Sequence, residues 1–166
     1  MTVQRLTRIA MSTALMALCS WITLPAAVPF TLQTFGWLLT MGLMGGKWGS
    51  VAVAVYLLAG SVGLPVFAGM QGGFGVLLGA TGGYLFGFLL AAFGMWGLER
   101  WIPTKSWVSM SVGQLLCYTA GTLWYQGFYA QGDGLWLVVS TCVLPFILTD
   151  GLKIWLASRA VKRIRA

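Results

Sequence analysis

Two opposite charges stand inside a long apolar stretch near the carboxyl end of the chain. Asp150 and Lys153 are three residues apart within the apolar segment 135–158, so both side chains lie on one face of a helix. Asp150 precedes Arg159, the start of a basic cluster, by nine residues, or roughly 13 Å of helix. In a hydrocarbon core about 30 Å thick, that depth is near the middle, where each charge costs about 2.5–3.5 kcal/mol. We therefore interpret the remaining elements as a scaffold that positions this pair.

Three kinds of chemistry are open to such a pair. It could be a structural ion pair that fixes helix packing, a carboxylate that relays protons or ions, or a site for a small ligand with both donor and anionic groups. The chain has no histidine, its three cysteines form no C-x-x-C motif, and no nucleophile stands beside a base. The usual constellations for enzymes and metal sites therefore cannot be built. We expect no enzyme activity, no cofactor and no metal centre.

The composition predicts an integral membrane protein rather than a soluble domain. Of 166 residues, 58% are hydrophobic and 8% are charged, and the mean hydropathy is +0.85. Soluble domains are about 45–50% apolar and about 25% charged. The net charge of +7 comes from basic residues at the ends of apolar runs, which is a topology signal and not a nucleic-acid site. The basic tail is expected to hold the last helix against anionic membrane lipid: Arg159, Lys162, Arg163 and Arg165.

Apolar runs and turn signals predict an all-α fold with six transmembrane helices in a single domain, 1–166. The approximate ranges are 6–24, 31–44, 48–62, 76–98, 107–128 and 135–158. With this division, nine of the ten Lys and Arg residues fall on one side, which predicts that both termini are cytoplasmic. The first run is interpreted as a true helix, because it continues to Leu24 without a small-residue cleavage site.

Two uncharged loops, 25–30 and 63–75, are then expected on the outer side, together with the last loop that carries Asp133. The loop 63–75 is apolar and rich in glycine, which predicts a segment tucked into the protein rather than one exposed to water. It lacks the Lys and the Ser or Thr of a phosphate-binding loop. Both uncharged loops are interpreted as lids over an outward-facing pocket.

Two of the predicted helices carry faces with two interpretations each. The fifth helix has a face of polar and small residues, which either lines a cavity or bonds between helices. Its members are Gln114, Tyr118, Gly121 and Tyr125. The first helix has a stripe of small residues, either for packing within this chain or for docking to the helices of a partner. Its members are Ala10, Ala14 and Ala17.

Four separated blocks of residues resemble the BioY family of biotin transporters. They are Pro29-Phe30-Thr31-Leu32-Gln33-Thr34, 63–69 with Gly72-Gly73, 79–85, and Leu144-Pro145-Phe146 with Asp150 and Lys153. The blocks come in the order and at the spacings of that family, and they cover most of the chain. The chain departs from the family pattern at three points: Ala80 stands where Pro is common, Leu148-Thr149 where Pro-Gly is common, and Met70-Gln71 where a small or Asn-type pair is common.

The resemblance implies the biotin-specific substrate-binding subunit (S component) of an energy-coupling-factor (ECF) transporter. Such a subunit is a six-helix bundle in a bacterial or archaeal cytoplasmic membrane, with both termini inside. Its implied partners are biotin, a membrane-spanning coupling subunit (T component) and two ATPase subunits, which alone use ATP. The alanine stripe of the first helix would be the docking surface. Some members resemble solitary transporters, so the partners are not implied for every member.

On the resemblance, the residues expected to bind biotin are Asp150, Lys153, Tyr84, Gln71, Gln33, Thr81 and Gly73. Asp150 is expected to accept from the ureido N–H groups, and Lys153 to donate to the ureido carbonyl or to pair with a carboxylate. Three alternatives stay open: an S component for a different water-soluble vitamin, a membrane scaffold without transport, and an ion-coupled transporter. The last is disfavoured, because the chain offers one buried carboxylate and no obvious internal repeat.

Overall fold

The computed structural model describes residues 2–24, 30–130, 132 and 134–164. The described residues form seven α-helices, one 3-10 turn and a two-stranded antiparallel ribbon. In chain order they are α1 (Val3–Trp21), β1 (Thr23–Leu24), β2 (Phe30–Thr31), α2 (Gln33–Ser61), the 3-10 turn Ala68–Met70, α3 (Phe74–Leu78), α4 (Gly82–Leu98), α5 (Trp107–Phe128), α6 (Leu135–Cys142) and α7 (Leu144–Ile164). The predictions made for loop residues 25–29, for Asp133 and for Arg165 lie outside the described residues.

The long helix α2 is folded back on itself at Gly45. This residue has φ 77 and ψ 173, a conformation that glycine adopts without a steric penalty. A Cβ atom built at Gly49 would lie 3.2 Å from the Cα atom of Met41. Gln33 Nε2 lies 2.6 Å from the hydroxyl of Tyr56, although a straight helix would separate these residues by roughly 35 Å. The two arms, 33–44 and 46–61, therefore run antiparallel, and the chain reverses where the sequence predicts a turn.

By length and hydropathy, one described helix, α2, could cross a membrane, or two if α6 and α7 count as one bent span. The reversal at Gly45 divides the length of α2 between its two arms. Each arm is therefore shorter than the roughly 20 residues that a straight transmembrane helix needs.

The predicted helices 76–98 and 135–158 are each two helices in the structure. The first breaks between α3 and α4, where Gly79 has an extended ψ of 179. The second breaks at Val143 (φ −126, ψ −52), and α6 and α7 meet at a bend of 40°. Pro145 occupies the first turn of α7, where its missing N–H removes no helical hydrogen bond. The first helix also differs from its predicted range, 6–24, because it ends at Trp21 and the chain continues as β1.

Glycines let α4 and α5 approach closely along their length. A Cβ atom at Gly83 would lie 2.1 Å from Trp124 Cβ, and one at Gly87 would lie 3.1 Å from the carbonyl oxygen of Cys117. Small residues at such crossings allow backbones to meet within van der Waals contact. The resulting interior holds fully buried side chains from α2, α4 and α5, among them Trp37, Met95 and Met110. This packing fixes the rotation of the helices that carry the polar residues described below.

Charged residues from the helix ends meet at one end of the bundle, which we call the basic end. The guanidinium of Arg5 lies 5.2 Å from the ring centroid of Trp48, and Lys47 Nζ lies 5.5 Å from it. Glu99 Oε2 accepts a hydrogen bond of 3.0 Å from the backbone N–H of Gly46. The start of α1, the turn of α2 and the end of α4 therefore lie together.

Candidate functional site

A cavity of about 310 Å³ lies between the first arm of α2, the loop 67–71 and helices α4, α5 and α7. Pockets for small ligands in proteins are about 300–1,000 Å³ in volume. The residues that line the cavity are Thr23, Thr31, Gln33, Thr34, Phe67, Ala68, Gly69, Gln71, Val76, Thr81, Tyr84, Leu85, Phe88, Gln114, Tyr118, Cys142, Phe146, Asp150 and Lys153. The cavity therefore combines aromatic walls with one buried carboxylate and one buried ammonium group.

The carboxylate of Asp150 is buried and accepts four hydrogen bonds from the chain. Oδ1 accepts from Lys153 Nζ at 2.7 Å and from the hydroxyl of Thr34 at 3.3 Å. Oδ2 accepts from Gln114 Nε2 at 2.9 Å and from the hydroxyl of Tyr118 at 2.5 Å. An ionised carboxylate has about four acceptor positions. The chain therefore fills them all, and the longest of the four bonds is the one from Thr34.

The ammonium group of Lys153 is also fully bonded. Its three protons point to Asp150 Oδ1 at 2.7 Å, the backbone carbonyl of Thr31 at 2.8 Å and the hydroxyl of Thr34 at 3.0 Å. Its nitrogen lies 4.9 Å from the ring centroid of Phe30, an attractive cation–π geometry. The two charges thus join α7 to α2, α5 and β2. A ligand that bonds either charge must take the position of a bond the chain already makes.

The aromatic wall depends on Phe67, which comes from the loop yet is only 1% exposed. Its ring lies edge-on to Tyr56, with ring centroids 5.5 Å apart and an interplanar angle of 80°. The backbone of Gly60 makes room for it, because a Cβ atom there would lie 2.0 Å from Phe67 Cζ. The loop 63–75 is thus partly tucked into the protein, as its apolar sequence suggests.

Six of the seven residues expected to bind the ligand line this cavity, and Gly73 does not. Gly73 has φ 101, and its N–H donates to the carbonyl of Gly60 at 2.7 Å. Glycine is favoured there by the backbone conformation, so the residue holds the loop rather than the cavity wall. The six lining residues are Asp150, Lys153, Tyr84, Gln71, Gln33 and Thr81.

Tyr84 and Gln71, like the charged pair, also make hydrogen bonds within the fold. The hydroxyl of Tyr84 donates to the backbone carbonyl of Cys142 at 3.1 Å, which ties α4 to the end of α6. Gln71 is exposed, and its carbonyl accepts from the N–H of Phe67 at 2.9 Å. Its backbone therefore closes the loop, while its side chain lies at the rim of the cavity.

Other lining residues are not among the seven expected to bind the ligand, and they include Thr34, Gln114, Tyr118, Phe67 and Phe146. The signal for two of them was present, since Gln114 and Tyr118 lie one turn apart on the polar face of the fifth helix. That face had two interpretations, and the structure realises both, because the two side chains line the cavity and bond to Asp150 on α7. The rotation of α5 against α7, which decides this, is a property of packing.

The small-residue stripe of α1 is not one open surface. Ala10 and Ala14 are exposed, whereas Ala17 is buried. The carboxyl end of α1 is covered by the loop, because Ser20 Oγ donates to the carbonyl of Val66 at 2.6 Å and Trp21 Nε1 donates to that of Pro65 at 2.7 Å. A docking surface on α1 would therefore begin with Ala10 and Ala14.

Known proteins of similar sequence share one description. A protein of Thermotoga maritima named "Biotin transporter BioY" is 37% identical over 165 residues, which cover 98% of this chain and 96% of that protein. A protein of Lactococcus lactis subsp. cremoris named "Biotin transporter BioY2" is 35% identical over 153 residues, which cover 89% of this chain and 82% of that one. A protein of Pyrococcus horikoshii named "Probable biotin transporter BioY" is 36% identical over 126 residues, covering 76% and 74%.

The fold also matches a solved structure, the S-component for biotin from an ECF-type ABC transporter. The TM-score is 0.87 at 28% sequence identity, and the match covers 99% of this chain and 94% of that one. The resemblance drawn from four short blocks is therefore confirmed over the whole length, and the chain is a membrane protein of a transporter family and not an enzyme. A model of the BioY family matches residues 1–166, and the chain belongs to that family.

Proposed function

We propose that this chain binds biotin with high affinity for uptake, as the membrane-embedded substrate-binding subunit of an ECF-type transporter. The observation that carries the proposal is the cavity around Asp150 and Lys153, in a fold that matches an S component for biotin along nearly its whole length. Biotin has a ureido group with two N–H donors and one carbonyl acceptor, an apolar bicyclic ring and a carboxylate. The cavity supplies matching acceptors, donors and aromatic walls.

Binding would proceed by exchange at the charged pair. The hydroxyl of Thr34 makes the longest bond to Asp150, at 3.3 Å, and also accepts from Lys153. A ureido N–H could replace that hydroxyl at Asp150 Oδ1, while the ureido carbonyl accepts from Lys153 Nζ. A ligand that displaces the Thr34 hydroxyl without supplying these groups would leave Asp150 Oδ1 and Lys153 Nζ each short of one hydrogen bond, which costs free energy and gives selectivity. Tyr84, Gln33, Thr81 and Gln71 complete the proposed contacts.

Isothermal titration calorimetry in detergent tests the ligand. Biotin is expected to bind with a dissociation constant below the micromolar range, and other water-soluble vitamins are expected not to compete. Competition by another vitamin at lower concentration than biotin would favour an S component of different specificity. If no small molecule binds, the transport assignment itself is refuted.

We further propose a single domain of six transmembrane helices, with both termini in the cytoplasm of a bacterial or archaeal cell. The convergence of Arg5 and Lys47 at the basic end supports this orientation, because basic residues accumulate on the cytoplasmic side. Single cysteines are introduced as Lys47→Cys and Leu64→Cys in a chain without its three native cysteines. A thiol reagent is expected to label Lys47→Cys only from the inside and Leu64→Cys only from the outside. The reverse pattern would overturn the orientation.

Energy for uptake is proposed to come from a T component and two ATPase subunits, docked at Ala10 and Ala14. These two alanines are exposed on α1, and small residues allow the close approach of a partner helix. Ala14→Trp is expected to abolish co-purification with the partner subunits while leaving biotin binding unchanged. Uptake that persists without any ATPase subunit would favour a solitary transporter instead.

A further inference from the structure

A chain of buried hydrogen bonds starts at a glutamine of the cavity wall. Gln33 lines the cavity and is 6% exposed. Its Nε2 donates to the hydroxyl of Tyr56 at 2.6 Å, and that hydroxyl donates to the backbone carbonyl of Val66 at 2.7 Å. Tyr56 is completely buried and does not line the cavity.

The direction of these bonds is fixed by the carbonyl at their far end. The carbonyl oxygen of Val66 has no proton, so an oxygen atom 2.7 Å from it must donate. The hydroxyl of Tyr56 therefore donates its one proton to the carbonyl of Val66, and its oxygen must accept from Gln33 Nε2. The NH2 group of Gln33 thus faces Tyr56, and a flipped amide would set its carbonyl oxygen against an oxygen that has no proton left to give.

The carbonyl oxygen of the Gln33 amide accepts no hydrogen bond from the described residues. No residue in the described ranges donates a hydrogen bond to Gln33 Oε1, whereas Asp150 and Lys153 have every position filled. Gln114 Oε1 is also without a partner among the described residues, but it is enclosed by protein atoms. Among the described residues that line the cavity, Gln33 is therefore the buried amide whose carbonyl oxygen is free to accept from a ligand, whereas the side chain of Gln71 lies exposed at the rim.

We propose that Tyr56 is a positioning residue, which holds Gln33 with its carbonyl oxygen as the acceptor for an N–H donor of the ligand. This inference rests on the proposed function, because the ureido group is the N–H donor of biotin. Gln33 then selects ligands of the cyclic urea class independently of the charged pair. Tyr56 acts through Gln33 and touches no ligand.

A merely structural role for Tyr56 would work through the loop instead. Val66 is held by a second donor, because Ser20 Oγ lies 2.6 Å from the same carbonyl. Ser20→Ala removes this anchor and leaves the bond between Gln33 and Tyr56 intact. It is therefore the matched control for Tyr56→Phe, which also keeps the ring that packs against Phe67.

A double-mutant cycle read by calorimetric titration with biotin separates the two roles. Gln33→Met is expected to weaken binding by about tenfold or more, and Tyr56→Phe by about fivefold, as for loss or disorder of one buried hydrogen bond. In the Gln33→Met background, Tyr56→Phe should have no further effect, whereas Ser20→Ala should have the same effect in both backgrounds. An equal effect of Tyr56→Phe in both backgrounds would overturn the proposal.

A measurement from the ligand side does not depend on the Tyr56 variant. Two biotin analogues, each with one ureido N–H replaced by oxygen, are titrated against the unchanged chain and Gln33→Met. One analogue should lose affinity for the unchanged chain and lose nothing more in Gln33→Met. Biotin binding of normal strength by Gln33→Met would refute this inference alone, whereas no biotin binding by the unchanged chain would refute the proposed function with it.

Discussion

The two ends of the bundle both hold charge but use it in opposite ways. At the basic end, Arg5 and Lys47 lie against the face of Trp48, and Glu99 bonds a backbone N–H of the turn. At the cavity end, Asp150 and Lys153 are buried and every donor and acceptor position is filled. Arg5 and Lys47 are exposed and Glu99 is half-buried, and contacts between charges at a protein surface are each worth about 0–1 kcal/mol. Removing one partner of a buried pair costs about 3–5 kcal/mol.

The same residue type has two different roles on one helix. Lys153 and Lys162 both belong to α7, but the first is buried and the second is exposed. Matched substitutions at the two ends therefore separate the contribution of burial from that of charge.

Asp150→Asn is expected to have the largest effect, because it leaves Lys153 buried without a counter-charge. We expect a loss of about 5 kcal/mol in the free energy of unfolding and no measurable biotin binding. Thermal unfolding followed by the fluorescence of the nine tryptophans, with calorimetric titration, measures both. Glu99→Gln is the control at the basic end, and it should cost about 1 kcal/mol at most and leave affinity unchanged. Equal losses in the two variants would contradict the comparison.

Lys153→Met is expected to have the next largest effect. Asp150 keeps the donors Thr34, Gln114 and Tyr118, so we expect a smaller loss of about 3 kcal/mol in stability. Biotin affinity should fall by about 100-fold, as for loss of a hydrogen bond to a charged group. The same substitution at exposed Lys162, with the same two measurements, should change neither quantity. A strong effect at Lys162 would show that charge matters independently of burial.

Gly60→Ala tests whether packing also defines the cavity end. The added methyl would displace the ring of Phe67, which lies 2.0 Å from the Cβ position, so overpacking should cost about 1–3 kcal/mol. Biotin affinity should fall as well, because Phe67 lines the cavity. Gly75→Ala in α3 meets nothing within 4 Å, and its stability should be unchanged or slightly higher. If both variants unfold at the same temperature, the close contact between Gly60 and Phe67 does not contribute to stability.

Thr34→Val is expected to have the smallest effect. It removes the longest bond to Asp150 and one acceptor of Lys153, which should cost about 1 kcal/mol of stability. Affinity should change by less than about threefold, because biotin is proposed to replace this hydroxyl. Thr119→Val is the control, since that exposed hydroxyl bonds only the carbonyl of Leu115 on its own helix. A large loss of affinity in Thr34→Val would mean that the hydroxyl is itself a ligand contact.

The sequence contained enough to predict the pair, its burial and the scaffold around it. A spacing of three on a helix puts Asp150 and Lys153 together, and an apolar surrounding makes them costly enough to demand a role. The turn at Gly45 was predicted because Gly45-Gly46-Lys47 interrupts an apolar run. Both predictions rest on residues close together in the sequence, so they do not depend on how the helices pack against one another.

The saturation of the pair was not predictable from sequence. From the sequence, Asp150 was expected to accept from the ureido N–H groups of a ligand. In the structure its carboxylate oxygens already accept from Thr34, Gln114 and Tyr118, which come from other helices. Which face of α5 meets α7 depends on close approaches such as that of Gly87 to Cys117. The break before α7 was missed for a different reason: Pro145 is tolerated within a first helical turn, so it marks a boundary only once the bend is known.

The break between α6 and α7 frees a backbone carbonyl, which then connects α6 to another helix. In an unbroken helix, the carbonyl of Cys142 would accept from the N–H of Phe146, but here that N–H donates to Val143 at 3.0 Å. The released carbonyl is taken by the hydroxyl of Tyr84, reaching across from α4. The bend thus links the end of α6 to α4 through Tyr84, so a change in the tilt of α6 would either break this hydrogen bond or move a side chain that lines the cavity.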